Sequence, residues 1–108
     1  MSNLLNQYIS HQAKEVQFRL GYRTTFKQSG EWIEADQSEL SLSEWEDLKD
    51  MCLKPHEKII LETKGFIKGV YQDKNDTWVF SFAEWKESLK AHFSYIPKEI
   101  KSNHIQHS

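Results

Sequence analysis

From Thr77 to Phe82 the chain sets an aromatic ring at every second position: Trp78, Phe80 and Phe82 alternate with Thr77, Val79 and Ser81. Successive side chains of a β-strand point to opposite faces, so this spacing predicts a strand with one buried and one solvated face. Strands are also predicted on either side of it. Phe66–Gln72 reads as one, joined to the aromatic strand by a hairpin turn at Asp73-Lys74-Asn75-Asp76. Leu89–Tyr95 reads as the other, with Leu89, Ala91, Phe93 and Tyr95 alternating against Lys90, His92 and Ser94. The connection Ala83–Ser88, which carries Trp85, reads as longer than a tight turn, and Pro97 ends the run.

The first half of the chain mixes both periodicities. Residues 3–13 predict a helix capped by Ser2 or Asn3, with Leu4, Leu5, Tyr8 and Ile9 as its apolar stripe. Residues 15–20 alternate again, with Val16, Phe18 and Leu20 on one face. Gly21 and Tyr22 make a turn, and a second strand over 23–28 points Phe26 inward and Lys27 outward. Ser29-Gly30 is a tight-turn signal, after which Glu31–Glu34 forms a short strand through Trp32 and Ile33. Ser41-Leu42-Ser43-Glu44 is a capping box, in which hydroxyl and carboxylate satisfy each other's backbone N–H groups. The helix it starts runs to about Leu53, with Leu42, Trp45, Leu48 and Cys52 as the expected buried stripe. Pro55 suits the first turn of a further helix, which carries Ile59, Ile60 and Leu61 and stops at Gly65. The sum is an α+β fold: a mainly antiparallel sheet with helices packed on one face. Residues 1–100 are expected to form a single domain and 101–108 a polar, flexible tail.

Composition narrows the function. The 108 residues suit one domain, and 13% aromatic content with four Trp indicates a folded chain. Fourteen basic against sixteen acidic residues give a net charge of −2, which argues against a nucleic-acid partner. The lone Cys52 excludes an internal disulfide and fits a reducing compartment. The N-terminus does not read as a signal peptide. No stretch reaches the roughly 18 apolar residues needed for membrane insertion. A cytoplasmic protein is expected.

No constellation of nucleophile, base and orienting group emerges, so the chain is not read as an enzyme. Of five His only His104 and His107 are close, and no Cys or carboxylate completes a metal site around them. Cys52 precedes His56 by four residues, but Pro55 breaks the helix between them, so a structural thiol is the better reading. The pairs Glu44/Glu46 and Asp47/Asp50 lie on the polar face of a helix. Trp45 and Trp78 fit core stripes. Trp32 and Trp85 sit near turns, where a ring is costly unless it meets a partner. Arg19, Arg23 and Lys27 form a basic outer row that reads as a solvated face. The candidate partner-binding residues are therefore Trp32, Trp85, Arg23 and Lys27.

Two segments carry a family resemblance. Ala13-Lys14-Glu15-Val16-Gln17-Phe18, then Gly21 and Lys27-Gln28-Ser29-Gly30, follow a pattern like A-S-D-[IL]-H-[IL], Gly, R-x-[DN]-G. Thr77-Trp78-Val79-Phe80-Ser81 and Phe93-Ser94-Tyr95-Ile96-Pro97 follow R-F-R-V-N and F-R-x-I-P. In this order they resemble the small N-terminal PAS-like domain of the PilT/GspE-type pilus retraction and secretion ATPases, over about residues 3–100. The resemblance implies a PAS-like domain. It also implies a partner among motor ATPases or motility scaffolds. The departures are equally informative. No G-x-x-x-x-G-K-[ST] occurs to cradle a triphosphate. The family's nucleotide-engaging arginines are replaced by Thr77, Val79 and Ser94, and its opening Asp and His by Glu15 and Gln17. Arg19-Leu20-Gly21 matches a fragment of a cyclic-dinucleotide motif found in related domains, without the Leu and Gln positions expected after it. The expectation is a free-standing, non-catalytic adaptor or regulatory domain that binds a component of a type IV pilus, secretion or gliding-motility apparatus and needs no cofactor. The alternative is a PAS-like small-ligand sensor. The edge strands of such a sheet also admit a homodimer.

Overall fold

The computed structural model describes Leu5, Tyr8 and residues 13–73 and 76–96. The elements are β1 (Glu15–Arg19), β2 (Thr25–Gln28), β3 (Glu31–Glu34), α1 (Leu42–Cys52), α2 (Pro55–Lys64), β4 (Phe66–Asp73), β5 (Asp76–Trp85) and β6 (Ser88–Ile96). The strands form one six-stranded sheet in the order β3-β2-β1-β6-β5-β4. Every neighbouring pair is antiparallel. The α+β class, the antiparallel sheet and the two central helices agree with the sequence. The helix expected over 3–13 lies mostly outside the described residues, as do Lys74-Asn75, Pro97 and the tail 101–108.

Local chemistry accounts for each boundary. Ser29 and Gly30 both take positive φ, 54° and 82°, the combination that a two-residue hairpin needs to follow strand twist. Ser41 caps α1 as expected: its hydroxyl accepts from the Glu44 N–H while the Glu44 carboxylate accepts from the Ser41 N–H at 2.9 Å. Gly65, left-handed at φ 80°, ends α2 and donates its N–H to the Leu61 carbonyl.

Two expectations are corrected. Leu42 does not join the buried stripe of α1 but is 58% exposed, and Cys52 is only half-buried. Trp45 and Leu48 carry the stripe, and Lys49 is buried beside them. Leu42 opens the first turn, ahead of the part of the helix that meets the sheet, whereas Lys49 is compensated by Glu84. The Ala83–Ser88 connection is also tighter than expected. Strand β5 continues through Trp85, which pairs with Ser88, and only Lys86 and Glu87 turn the chain. Lys86 takes φ 54°, which closes the hairpin without a glycine.

The core lies on one face of the sheet, beneath the helices. Val16, Phe18, Phe26, Trp78, Phe80, Phe82, Ala91 and Phe93 point into it, and Trp45, Leu48 and Leu61 enter from the helices. The rings meet mainly edge to face: Phe18–Phe93 at 5.7 Å, Phe80–Phe82 at 5.4 Å and Trp45–Phe82 at 5.5 Å. Such pairs are worth about 0.5–1.5 kcal/mol each beyond the area they bury. Leu5 and Tyr8 are buried in the same cluster, and the Tyr8 ring packs against Phe26 at 5.3 Å. Gln37 donates from Nε2 to the Tyr8 hydroxyl at 2.7 Å.

Candidate functional site

With one face of the sheet buried, the register assigns the remaining side chains to the other. Four rows cross this outer face. One runs Val70, Val79, Ser94, Glu15, Lys27, Trp32, and the next Lys68, Ser81, His92, Gln17, Thr25, Glu34. A third runs Phe66, Ala83, Lys90, Arg19, and Trp85 stands beyond it with Ser88. The fourth, at the opposite end, pairs Gln72, Thr77 and Ile96. Phe66, Val70, Val79 and Trp85 remain exposed here, Trp85 most of all at 68%.

The expected partner-binding residues fall into two separate places. Trp32 is 45% exposed and pairs directly with Lys27, whose Nζ lies 6.0 Å from its ring centre. Lys27 also meets the Glu15 carboxylate at 3.7 Å, and Arg23 meets Glu34 at 3.6 Å. The basic row expected on the first strands is thus interleaved with carboxylates. Trp85 lies four strands from Trp32, about 19 Å across the sheet at ordinary strand spacing, and stands further along the strands as well, beyond the Val79 row that holds Trp32, so the two rings do not form one cluster. The positions of Trp32, Lys27 and Arg23 make a modest, charge-balanced patch at the β3 edge.

The other end of the face has more shape. A groove of about 390 Å³ has Ser81 and Ala83 on its floor and Gln17, Arg19, Lys90 and His92 along its wall. A second, about 490 Å³, continues from Arg19 past Tyr22 to Trp85, Lys86 and Glu87. The Arg19 guanidinium lies 4.2 Å from the Tyr22 ring centre, and Lys86 sits 5.9 Å from that of Trp85. His92 Nε2 lies 2.8 Å from Glu15 Oε1. Sequence reasoning singled out Trp85 but missed Lys68 and Lys90. The available signal was the pair of small outward residues on β5, Ser81 and Ala83, between Val79 and Trp85.

Two groups that invite a catalytic reading take structural surroundings instead. Burial pushes the Cys52 thiol pKa well up, and the charge of Glu57 adds to the shift. Burial alone would lower the pKa of Lys49, but the hydrogen bond and charge of Glu84, with Glu46 nearby, outweigh it and raise the pKa. The same Glu84 carboxylate accepts from Trp45 Nε1 at 2.8 Å. Among the described residues no three His, Cys, Asp or Glu side chains are grouped to hold a metal. No described helix is long and apolar enough to cross a membrane.

The sequence matches no protein-family model and no curated protein. The fold does have relatives. The chain is similar to the pilus retraction motor PilT, solved with bound ADP, with a TM-score of 0.75 at 14% identity over 91% of this chain and 30% of PilT. It is also similar to the Legionella pneumophila ATPase DotB, with a TM-score of 0.73 at 17% identity over 86% of this chain and 28% of DotB. The resemblance to PilT-type ATPases read from the strand motifs therefore holds at the level of the fold. The chain spans under a third of the length of either protein.

Proposed function

We propose that this domain is a non-catalytic binding module, an adaptor or regulator that engages a protein of a type IV pilus, secretion or gliding-motility apparatus. The supporting observation is a PilT-like fold that keeps its packed core while exposing Trp85, Phe66, Val70 and Val79 on one sheet face. Exposed aromatic and apolar side chains on a rigid sheet are the usual anchors of a protein interface. The partner in this reading is a motor ATPase or its scaffold, met in the cytoplasm. A PAS-like sensor would want a ligand cavity beneath the helices. Phe18, Phe80, Phe82 and Phe93 instead pack ring against ring there, which favours the binding module.

Affinity capture from the source cell's lysate, with wild type and a Trp32→Ala/Trp85→Ala double variant, tests the proposal. Recovery of a motor ATPase or motility scaffold by wild type, and its loss by the folded variant, is the expected result. A purified domain that enriches no protein but carries a small molecule by mass spectrometry would overturn it.

A further inference from the structure

Along β5 the outward side chains run Val79, Ser81, Ala83, Trp85, with two small residues between two large ones. Lys68 and Phe66 rise from β4 on one side, and Lys90 and Arg19 from β6 and β1 on the other. The groove has Ser81 and Ala83 on its floor and Lys90 and Arg19 on its wall, runs on to the Trp85 indole, and leaves Lys68 and Phe66 beside it on the β4 side, outside its lining. We propose that it docks a short acidic segment of a partner protein, with Lys68, Lys90 and Arg19 taking the carboxylates and Trp85 an apolar side chain of the same segment. This rests on the binding-module reading and names the partner's chemistry.

Charge carries the argument. The chain has more carboxylates than cations, sixteen against fourteen. Lys27, Arg23, Lys49 and Lys58 each meet a carboxylate. Among the described residues no ion pair forms at Arg19, Lys68 or Lys90, nor at Lys14, Lys54, Lys64 or Lys86; of these, Arg19 and Lys90 line the groove, Lys86 lines its continuation, and Lys68 stands next to Ser81 on the β4 side. Lys90 and Arg19 are moreover direct cross-strand partners, and like charges set opposite each other destabilise a sheet. An anionic occupant would turn that repulsion into paired, charge-assisted hydrogen bonds. The Arg19 fork is already steadied by the Tyr22 ring beneath it.

The extent of the patch favours a peptide over a nucleic acid. Glu15 stands in the row beyond His92, and Glu87 lies beside Trp85. A phosphate backbone continuing in either direction would run into these carboxylates, whereas a segment with two or three acidic residues and one apolar anchor ends before reaching them.

The test is an NMR titration of the ¹⁵N-labelled full chain with a synthetic hexapeptide of glutamates around one central phenylalanine. Its all-glutamine counterpart and an oligothymidylate serve as comparators. Saturable shifts at Ser81, Ala83, Lys90 and the Trp85 indole N–H are expected, weakening as salt is raised. Binding should fall about tenfold or more in an Arg19→Glu/Lys90→Glu variant, the scale of losing charge-assisted contacts. Lys68→Gln should give a smaller loss. Equal binding of the glutamine peptide, shifts confined to other surfaces, or tighter binding of the oligothymidylate would each overturn the proposal. If lysate capture succeeds and the charge-reversed variant recovers the same partner, the trough proposal falls while the binding module stands. If the acidic peptide binds as expected but no motility protein is captured, the trough stands and the motility reading falls.

Discussion

Lys49 Nζ lies 2.8 Å from Glu84 Oε2, tying the buried side of α1 to the end of β5. Because Glu84 also accepts from the Trp45 indole, one carboxylate fixes how the helix sits on the sheet. Glu84→Ala leaves a buried ammonium and a buried indole N–H without their acceptor. The expected cost is about 3 kcal/mol, read from the urea midpoint. A Lys49→Met/Glu84→Leu double variant should recover the part due to the stranded charge, while the Trp45 indole N–H still lacks its acceptor. The sign of the pH dependence follows from the raised Lys49 pKa. The pair's contribution is fully present below the ordinary lysine value of 10.5 and is lost as pH climbs through the higher folded value. The wild type should therefore lose stability relative to the apolar double variant as pH rises through the alkaline range above that value. A stability difference that stays constant through that alkaline range would contradict this.

Gly69 is paired with Phe80, whose ring covers it. A β-carbon at position 69 would come 2.5 Å from Phe80 Cζ. Phe80 is buried and has little room to retreat. Gly69→Ala should destabilise by about 1–3 kcal/mol, the range for overpacking a filled core. Adding Phe80→Leu should restore part of the loss if the clash is the cause. Denaturant unfolding of the two variants decides it, and an unchanged midpoint for Gly69→Ala would rule the clash out.

Cys52 provides a chemical check on α1. Burial and the nearby Glu57 hold its thiol protonated at neutral pH, and the thiolate is the reactive form. An aromatic disulfide reagent at pH 7.5 should label the native protein far more slowly than the urea-unfolded chain. Equal rates would mean that the helix end frays open or that the thiol is not shielded.

The proposed face explains why sequence reasoning found only part of the candidate site. Trp85 was legible because a ring beside a turn is conspicuous. Lys68 and Lys90 were not, because each is an unremarkable outward residue on its own strand. Lys90 lines the trough and Lys68 stands beside it only because β4, β5 and β6 lie side by side, with Ser81 facing Lys68 on one flank and His92 on the other. The exposure of Leu42 was missed for a similar reason. Helical spacing put it on the Trp45 stripe, but only the position of the sheet decides which turns of α1 are covered.

What the sequence by itself determined is local. The alternation Trp78, Phe80, Phe82 required a half-buried strand. Ser41 and Glu44 required a helix start, Gly65 a helix stop, and Ser29-Gly30 a tight hairpin. Each follows from backbone sterics and hydrogen bonding within a few residues, so proximity along the chain is enough to read it. The tertiary structure decided what depends on distant partners. It placed β1 beside β6, so that Arg19 faces Lys90 across a span of more than 60 residues of chain. It also allowed Lys49 to be buried, because Glu84 arrives from β5 to meet it. Strand order and charge compensation are properties of pairs far apart in sequence, and only the folded chain brings those pairs together.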